Sequence, residues 1–554
     1  MLVVGLSNPS CCLKSEAIIF IIKFCGLSNQ TDDFRCIIID DGNLENDFNC
    51  DVVQKIPVDM SACSLPSALR DGILHAGLCS VARLIIQHAA KHIDGKYASL
   101  LGHNQVLLKA NEDSSDWRHL CENLLPSAAN DVELLKQSVN FLNFNFKSKS
   151  HISQIKKYVR GLSDVLQSKP NNCLECEFLV EKEILRELEL KNFLSNFVIP
   201  NVVCVGVCIS VLDLIVLPII CHLCVVHNFT LSDTVLRWLK VLHLNDRIKQ
   251  TFVYFSFHQY VCSTSELYTS DYILSGNLLP TCPKLISNEF DDTAFSFDMH
   301  MDDILNDFHD FVINSNDWPI SLSEDITLDW AILPDHCNPS STALSGKRLL
   351  RKQQQLESLL SVIRQIVKPG KIIVDFCSGS GHLGILLAHF FPFCQIYLVD
   401  NKLSSIEIAQ KRCSSLSNVQ LFNCSLNRFI SHFDIGVCLH GCGVATDLVM
   451  AACNERKAAF VISPCCYGFI QNARSLRFPR SNALAHVAFP QYSALSKCAD
   501  DIDRDCEHAM TAIDADRLQW ALEQGYAHTF STFMFPKTCS TKNHIIIGWQ
   551  SGAV

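Results

Sequence analysis

Lys371-Ile-Ile-Val-Asp-Phe-Cys-Ser-Gly-Ser-Gly-His-Leu-Gly384 decides the fold of the C-terminal half of this chain. A short apolar run ends in Asp375, glycines at 379 and 381 supply a tight turn, and Ile385, Leu386, Leu387 and Phe390 continue at helical spacing. Strand, glycine-rich turn and helix in that order form the nucleotide-binding corner of a doubly wound α/β sheet. Upstream, Lys347 to Val367 carries Leu349, Leu350, Leu356, Leu359, Leu360, Ile363 and Val367 on a helical repeat that Lys368-Pro-Gly370 stops. Downstream, three further strands are predicted at Gln395–Asp400, Val419–Ser425 and Phe433–Gly443, and Ala458–Gly468 opens from a strand into a loop with two adjacent thiols.

Gly379-x-Gly381-x-x-Gly384 also fits a dinucleotide fingerprint, so a nicotinamide or flavin enzyme is weighed against one using S-adenosylmethionine. A carboxylate at Asp375 would repel a pyrophosphate but suits the amino-acid portion of S-adenosylmethionine, held directly or through water. Asp400 ends the second strand where it can accept both ribose hydroxyls, a feature both cofactor classes share. Thr529 to Trp549 reads as two strands with a turn at Pro536 to Lys542, a C-terminal hairpin that belongs to methyltransferase sheets. S-adenosylmethionine is therefore the expected cofactor, with Asp375, Ser378, Gly379, Gly381 and Asp400 around it and Asn423 or Ser425 at the adenine edge. Ligands of open α/β sheets bind outside the carboxyl ends of the strands, so these residues should converge with His440, Cys465 and Cys466 on one cleft.

The whole chain has 554 residues, 48% hydrophobic and 19% charged, which excludes general disorder, collagen and a small disulfide knot. Its 29 cysteines are scattered rather than framed at fixed spacings and read as free thiols of a reducing compartment. No basic n-region precedes an apolar core at the N-terminus, so a cytoplasmic protein is expected. Val202 to Val226 is long enough to suggest a membrane span, yet a carboxylate such as Asp213 at mid-span would cost about 3 kcal/mol. Ser210-Val-Leu-Asp213 reads better as the capping box of a buried helix, the hydroxyl accepting from the Asp213 amide. From Glu289 to Asp335 there are 13 acidic side chains and no Lys or Arg, whereas Lys347 onward has 21 basic and 15 acidic. This asymmetry marks an acidic connector, with Phe290, Phe308 and Trp318 able to dock on a neighbour.

The strand tips carry a resemblance. Leu439-His-Gly-Cys-Gly-Val-Ala-Thr-Asp447 followed by Cys465-Cys466-Tyr467 resembles the methyltransferase half of the glutathione S-transferase C-terminal domain-containing protein family, and the match extends through Lys347–Leu356 and Ala485–Tyr526. The same pair of motifs is similar to that of eukaryotic tRNA ribose 2′-O-methyltransferases, with Tyr467 here in place of a His. The resemblance implies that His440, Cys465, Cys466 and Tyr467 face the acceptor. Cys465 or Cys466 reads either as a nucleophile toward a pyrimidine, activated by the following Arg474, Arg477 and Arg480, or as a packed thiol lining the cofactor site. His440 reads either as a general base or as a loop anchor against Asp447. Cys442, Cys465, Cys466 and His440 have metal-ligating chemistry but lack paired finger-like spacing, so no metal is expected.

The N-terminal half resembles a degenerate glutathione transferase. Strands are predicted at Leu2–Val4 and Cys36–Asp40 around a helix at Ser15–Cys25, and Leu65-Pro66, Ile73-Leu74 and a helix at Leu78–Ala89 resemble the end of a thioredoxin-like unit with Pro66 as its cis-proline. A helical region from Trp117 to about Phe257, including Val235–Lys240, resembles the second domain of those enzymes. Cys79-Ser80 stands where the resemblance implies an acidic ligand for the glutathione amine, and Cys11-Cys12 stands at the thiol-activating position, which implies a packing or partner-binding role. Cys173-Leu-Glu-Cys176 and Cys221-His-Leu-Cys224 read as core or loop thiols. The expected architecture is multidomain α/β: 1–110 thioredoxin-like, 111–275 all-helical, 276–345 acidic linker and 346–554 a Rossmann-like class I methyltransferase domain. The expected function is S-adenosylmethionine-dependent methyl transfer to an RNA or protein acceptor, with a protein partner for the N-terminal half and no membrane. The alternatives are a non-catalytic scaffold and, behind it, a glutathione transferase.

Overall fold

The protein is described from a computed structural model covering residues 1–9, 12–28, 33–39, 50–101, 108, 116–147, 204, 209–243, 245–255, 327–342, 344–468, 470, 476–501 and 506–550. The chain divides into two compact units, the first holding the described residues up to 255 apart from Gly72–Leu74, and the second those three together with the residues from 327.

In the first unit β1 (Leu2–Ser7) pairs in parallel with β2 (Phe34–Ile39) in the register Val4↔Cys36, the two joined through α1 (Leu13–Cys25). Short β3 (Asp51–Val53) extends the sheet beyond β2, and β4 (Ser67–Arg70) runs antiparallel on the other side of β1 with β5 (Ile73–Ala76) outside it. The Leu65–Pro66 bond is cis, and α2 (Leu78–His92) follows the hairpin. β1, α1, β2, β5 and α2 lie where the apolar runs predict them. α3 (Val132–Lys147), α4 (Val211–Val226), α5 (Asp233–His243) and α6 (Asp246–Phe252) supply the helical part. Phe20 of α1 packs edge-on against Phe252 with ring centroids 5.6 Å apart, tying sheet-side and helical parts into one core.

α4 is a buried core helix despite its apolar sequence. Asp213, fully buried, accepts from the Ser210 amide and hydroxyl, the Cys204 amide and the Trp238 indole, all within 2.9 Å. The Ser210 hydroxyl thus donates to the carboxylate, beyond the one role expected of it. A buried carboxyl group needs such a ring of donors to offset its lost hydration. Among the described residues no helix is long and apolar enough to cross a membrane.

The second unit opens at residues 327–342, the end of the acidic segment. The Leu328 amide and the Trp330 indole both donate to Glu357 at 2.9 Å, so this stretch docks on α7 (Gly346–Ile366), as the interleaved aromatic residues suggest. Phe290, Phe308, Trp318 and the rest of 276–326 lie outside the described residues. Beyond α7 come β6 (Ile372–Phe376), α8 (His382–Phe390), β7 (Gln395–Asp400), α9 (Leu403–Arg412), β8 (Val419–Asn423), β9 (Ile435–Cys442), α10 (Ala445–Glu455), β10 (Ala459–Cys466), α11 (Phe489–Ala499) and α12 (Cys506–Glu523), then β11 (His528–Phe533) and β12 (His544–Trp549). The strand order is β11-β12-β10-β9-β6-β7-β8, with β12 inserted antiparallel between β10 and β11. β8, β7, β6, β9 and β10 are parallel, so their carboxyl ends share one edge. Chain order reverses between β6 and β9, which opens the crevice where ligands of such sheets bind.

Candidate functional site

The glycine turn between β6 and α8 is built by close packing. Gly379 and Gly381 have φ of +55° and +76°, a conformation that carries little penalty only for glycine. At Gly384, in the first turn of α8, a Cβ would lie 2.0 Å from Leu398 Cδ2, so helix and strand approach too closely for any side chain. Asp375 is 1% exposed, and its Oδ2 accepts from the Gly384 amide at 2.8 Å. It lies beneath the turn and shapes it from below, rather than standing in the open cleft. Burial pushes its carboxyl up to about 7, opposed by the Gly384 amide and the Lys352 cation and reinforced by Asp400.

Asp400 ends β7 at the cleft. Its Oδ2 accepts from Gly379 N at 2.8 Å and its Oδ1 from Lys402 N at 2.7 Å, so the carboxylate pins the glycine loop while each oxygen keeps acceptor capacity. Burial raises its pKa against those two amides. Asn423 at the tip of β8 donates to the Asp400 carbonyl at 3.0 Å. Ser378 Oγ and Ser425 Oγ are buried without a hydrogen-bond partner among the described residues, and nothing lies within 4 Å of a Cβ placed on Gly379. Unpartnered buried hydroxyls beside open space mark a polar ligand's position, because such groups otherwise cost about 1–3 kcal/mol each. The set offers hydroxyl donors, carboxylate acceptors and backbone room. It fits the amino-acid and ribose groups of S-adenosylmethionine.

Around the ends of β9 and β10 the arrangement differs from the expectation at Tyr467, at Arg480 and at the His440–Asp447 pair. Tyr467 is fully buried, its hydroxyl donates to Asp514 at 2.9 Å, and the Arg517 guanidinium sits over its ring at 5.3 Å. It is part of the scaffold and does not face an acceptor. Arg480 ion-pairs with Asp447 at 3.4 Å and lies over Trp520, so it is not offered to the thiols or to an anionic substrate. Arg477 is exposed and Arg474 lies outside the described residues. Asp447 belongs to Arg517, which it meets at 2.9 Å, and this removes the expected His440–Asp447 anchor.

His440 instead meets Lys352, whose Nζ lies 2.5 Å from His440 Nε2. Desolvation in the cleft, then the Lys352 cation, lowers His440 to about 4, so its neutral ring accepts from the ammonium. Desolvation also lowers Lys352 to about 8, opposed by Asp375 and Cys465. Lys352 escaped the sequence reading, although it carries a signal: it falls between Leu349 and Leu356 on the apolar stripe of α7, where a cation has no packing reason to stand.

Cys442, Cys465 and Cys466 come together at the ends of β9 and β10, with Cys466 facing Cys442 across the parallel pair. Cys377, at φ +53°, and buried Cys438 pair below them. Among the described residues no cysteine is in a disulfide. In the first unit, Cys12 caps α1 without a side-chain hydrogen bond, and Cys221 and Cys224 are buried core thiols; Cys11, Cys173 and Cys176 lie outside the described residues. The start of α2, where an acidic ligand was expected to be missing, is filled by Glu122. Its carboxylate accepts from Leu78 N at 3.1 Å and Cys79 N at 2.8 Å. A helix N-terminus favours an anion, and here the chain supplies its own.

Residues 351–473 match the family described as "Methyltransferase domain". The chain is 30% identical over 574 residues to the glutathione S-transferase C-terminal domain-containing protein of Bos taurus, covering 89% of this chain and 88% of that one. It is 29% identical over 581 residues to the Homo sapiens protein of the same name, covering 89% and 87%. With the Xenopus laevis relative the identity is 44% over 235 residues, 40% of this chain and 38% of that one. Among solved structures, magnesium protoporphyrin IX methyltransferase from Synechocystis PCC 6803 aligns with 40% of this chain and 100% of its own, at 13% identity and a TM-score of 0.26. Methyltransferase domain, doubly wound sheet and near full-length similarity converge: the chain belongs to the glutathione S-transferase C-terminal domain-containing protein family.

Proposed function

We propose that the protein is an S-adenosylmethionine-dependent methyltransferase whose cofactor lies across the carboxyl ends of β6, β7 and β8. The observation that carries this reading is the pair of unpartnered buried hydroxyls, Ser378 and Ser425, flanking the Asp400 carboxylate beside the open face of Gly379. Ser378, Gly379, Gly381, Asp400, Asn423 and Ser425 would hold the cofactor. Asp375 acts through the turn as a positioning residue. When bound, the cofactor supplies an electrophilic methyl group. The chain then has to orient an acceptor atom and take its proton. His440, a neutral acceptor in the cleft, and Lys352, hydrogen-bonded to it, are the groups placed for that proton transfer, with Cys465 and Cys466 beside them.

The acceptor is proposed to be an RNA or protein group. Loss of Arg480 into a buried ion pair leaves the RNA reading resting on the modest positive balance of the C-terminal half. A glutathione transferase reading is weakened by Glu122, whose carboxylate holds the α2 amides that an anionic ligand would need. No retention on glutathione resin is expected.

The test is incubation of the purified chain with tritiated-methyl S-adenosylmethionine and a cell extract fractionated into RNA and protein. Label in one fraction, lowered about 100-fold or more by Lys352→Met or His440→Ala, supports the reading. Cofactor binding with no labelled acceptor would identify a non-catalytic scaffold instead.

A further inference from the structure

We propose that Cys442, Cys465 and Cys466 form a binding site for a thiophilic divalent cation, zinc being the natural candidate, with one coordination position open to solvent. The three sulfurs lie within 4.8 Å of one another, a spread that takes in the ~3.8 Å sulfur–sulfur separation around a tetrahedral ion with ~2.3 Å metal–sulfur bonds. Thiols gain little from such crowding, since S–H groups are weak donors and weak acceptors. A cation between them gives the convergence an energetic reason.

The sheet explains how the ligands meet. Successive residues of a strand point to opposite faces, so Cys465 and Cys466 should diverge. The pairing of β10 with β9 shifts register between Pro464 and Cys466, and a bulge of this kind re-aims a side chain. Cys466 stands opposite Cys442 in the ladder, and the irregularity brings Cys465 to the same cluster. All three come from the ends of central strands, which hold ligands more rigidly than loops.

The donor set selects the ion. Three thiolates favour zinc or another thiophilic cation over magnesium or calcium, which take oxygen ligands. Binding forms three metal–sulfur bonds, releases one proton from each sulfur that is still protonated, and leaves a complex of charge −1. Lys352 acts electrostatically on Cys465, so this negative charge has a cationic neighbour. Cys442 is exposed and the other two are half-buried, which gives the ion a path in and leaves its fourth position accessible. Zinc sites with three protein ligands and an open position are those that act on substrates.

The experiment uses the full chain, purified under reducing conditions, freed of metal and titrated with cobalt(II), with cadmium(II) as a second probe. One ion per chain, with thiolate-to-metal charge-transfer absorption and a release of protons on binding, is the expected result. Cys442→Ser and Cys466→Ser should each weaken that binding at least about tenfold, while Cys12→Ser leaves it unchanged. Because Cys442 is exposed, its variant keeps the fold, checked by circular dichroism, even if Cys466→Ser does not. Equal stoichiometry and affinity in wild type and Cys442→Ser would overturn the proposal. So would a Cys442–Cys465 disulfide found by mass spectrometry in the metal-free, reduced preparation.

Discussion

At the scale of single residues, Asp375 sets stability against cofactor binding. Its folded-state pKa of about 7 stands above the ordinary carboxylate value. Between about pH 4 and 7 the native chain therefore keeps a proton that the unfolded chain has lost, and this group's contribution to stability falls as pH rises through that window. Asp375→Asn should raise the unfolding temperature at about pH 8 and leave it nearly unchanged at about pH 5, as thermal melts at both values would show. The ionised carboxylate also attracts a cationic ligand, so wild type should bind S-adenosylmethionine more tightly at the higher pH and the variant should lose that dependence. Equal melting shifts at the two values would mean that Asp375 is ionised throughout. The sequence placed this carboxylate at the strand end, because apolar runs that stop at an acid are legible. Its position beneath the turn was not, since that follows from the Gly384 amide meeting it at 2.8 Å.

At the scale of elements, close approach and buried charge do most to hold the site. Gly384→Ala would normally favour a helix by about 1 kcal/mol, but here the new methyl meets Leu398 at 2.0 Å. The variant should instead lose about 1–3 kcal/mol, read from its urea midpoint. A stabilised variant would show that α8 and β7 are not in such contact. α12 and α10 are locked by Arg517, whose side chain is fully buried between Asp447 at 2.9 Å and Asp514 at 3.1 Å. Asp447→Ala leaves part of that charge uncompensated and should cost about 3–5 kcal/mol in the same measurement. None of this network was readable beforehand. α12 places Asp514, Asp516 and Arg517 at buried positions, so its sequence has no clean apolar stripe from which the buried face could be read. The strands were legible for the opposite reason: Ile372–Phe376, Gln395–Asp400 and Ala459–Cys466 are apolar runs with polar tips, as buried parallel strands require.

At the scale of the whole molecule, the two units carry different amounts of readable chemistry. The N-terminal unit showed β1 and β2, its cis-proline and its buried capping box at Asp213, yet β3, β4 and Glu122 could be found only from the fold. That residue is 43 positions from Cys79, and no local spacing links the two. The C-terminal unit concentrates its polar groups at one edge of the sheet, and the proposed ligand belongs there. S-adenosylmethionine should therefore slow hydrogen exchange around 376–381, 399–402 and 423–425 and leave the amides of residues 1–101 unchanged. Protection confined to the N-terminal unit would reverse the assignment. The most direct test is calorimetric titration of the folded full chain with S-adenosylmethionine, beside Asp400→Ala. Binding at about one site per chain, abolished in the variant, is the predicted result. A folded chain that takes up no cofactor, or a variant that binds as wild type does, would contradict the central claim.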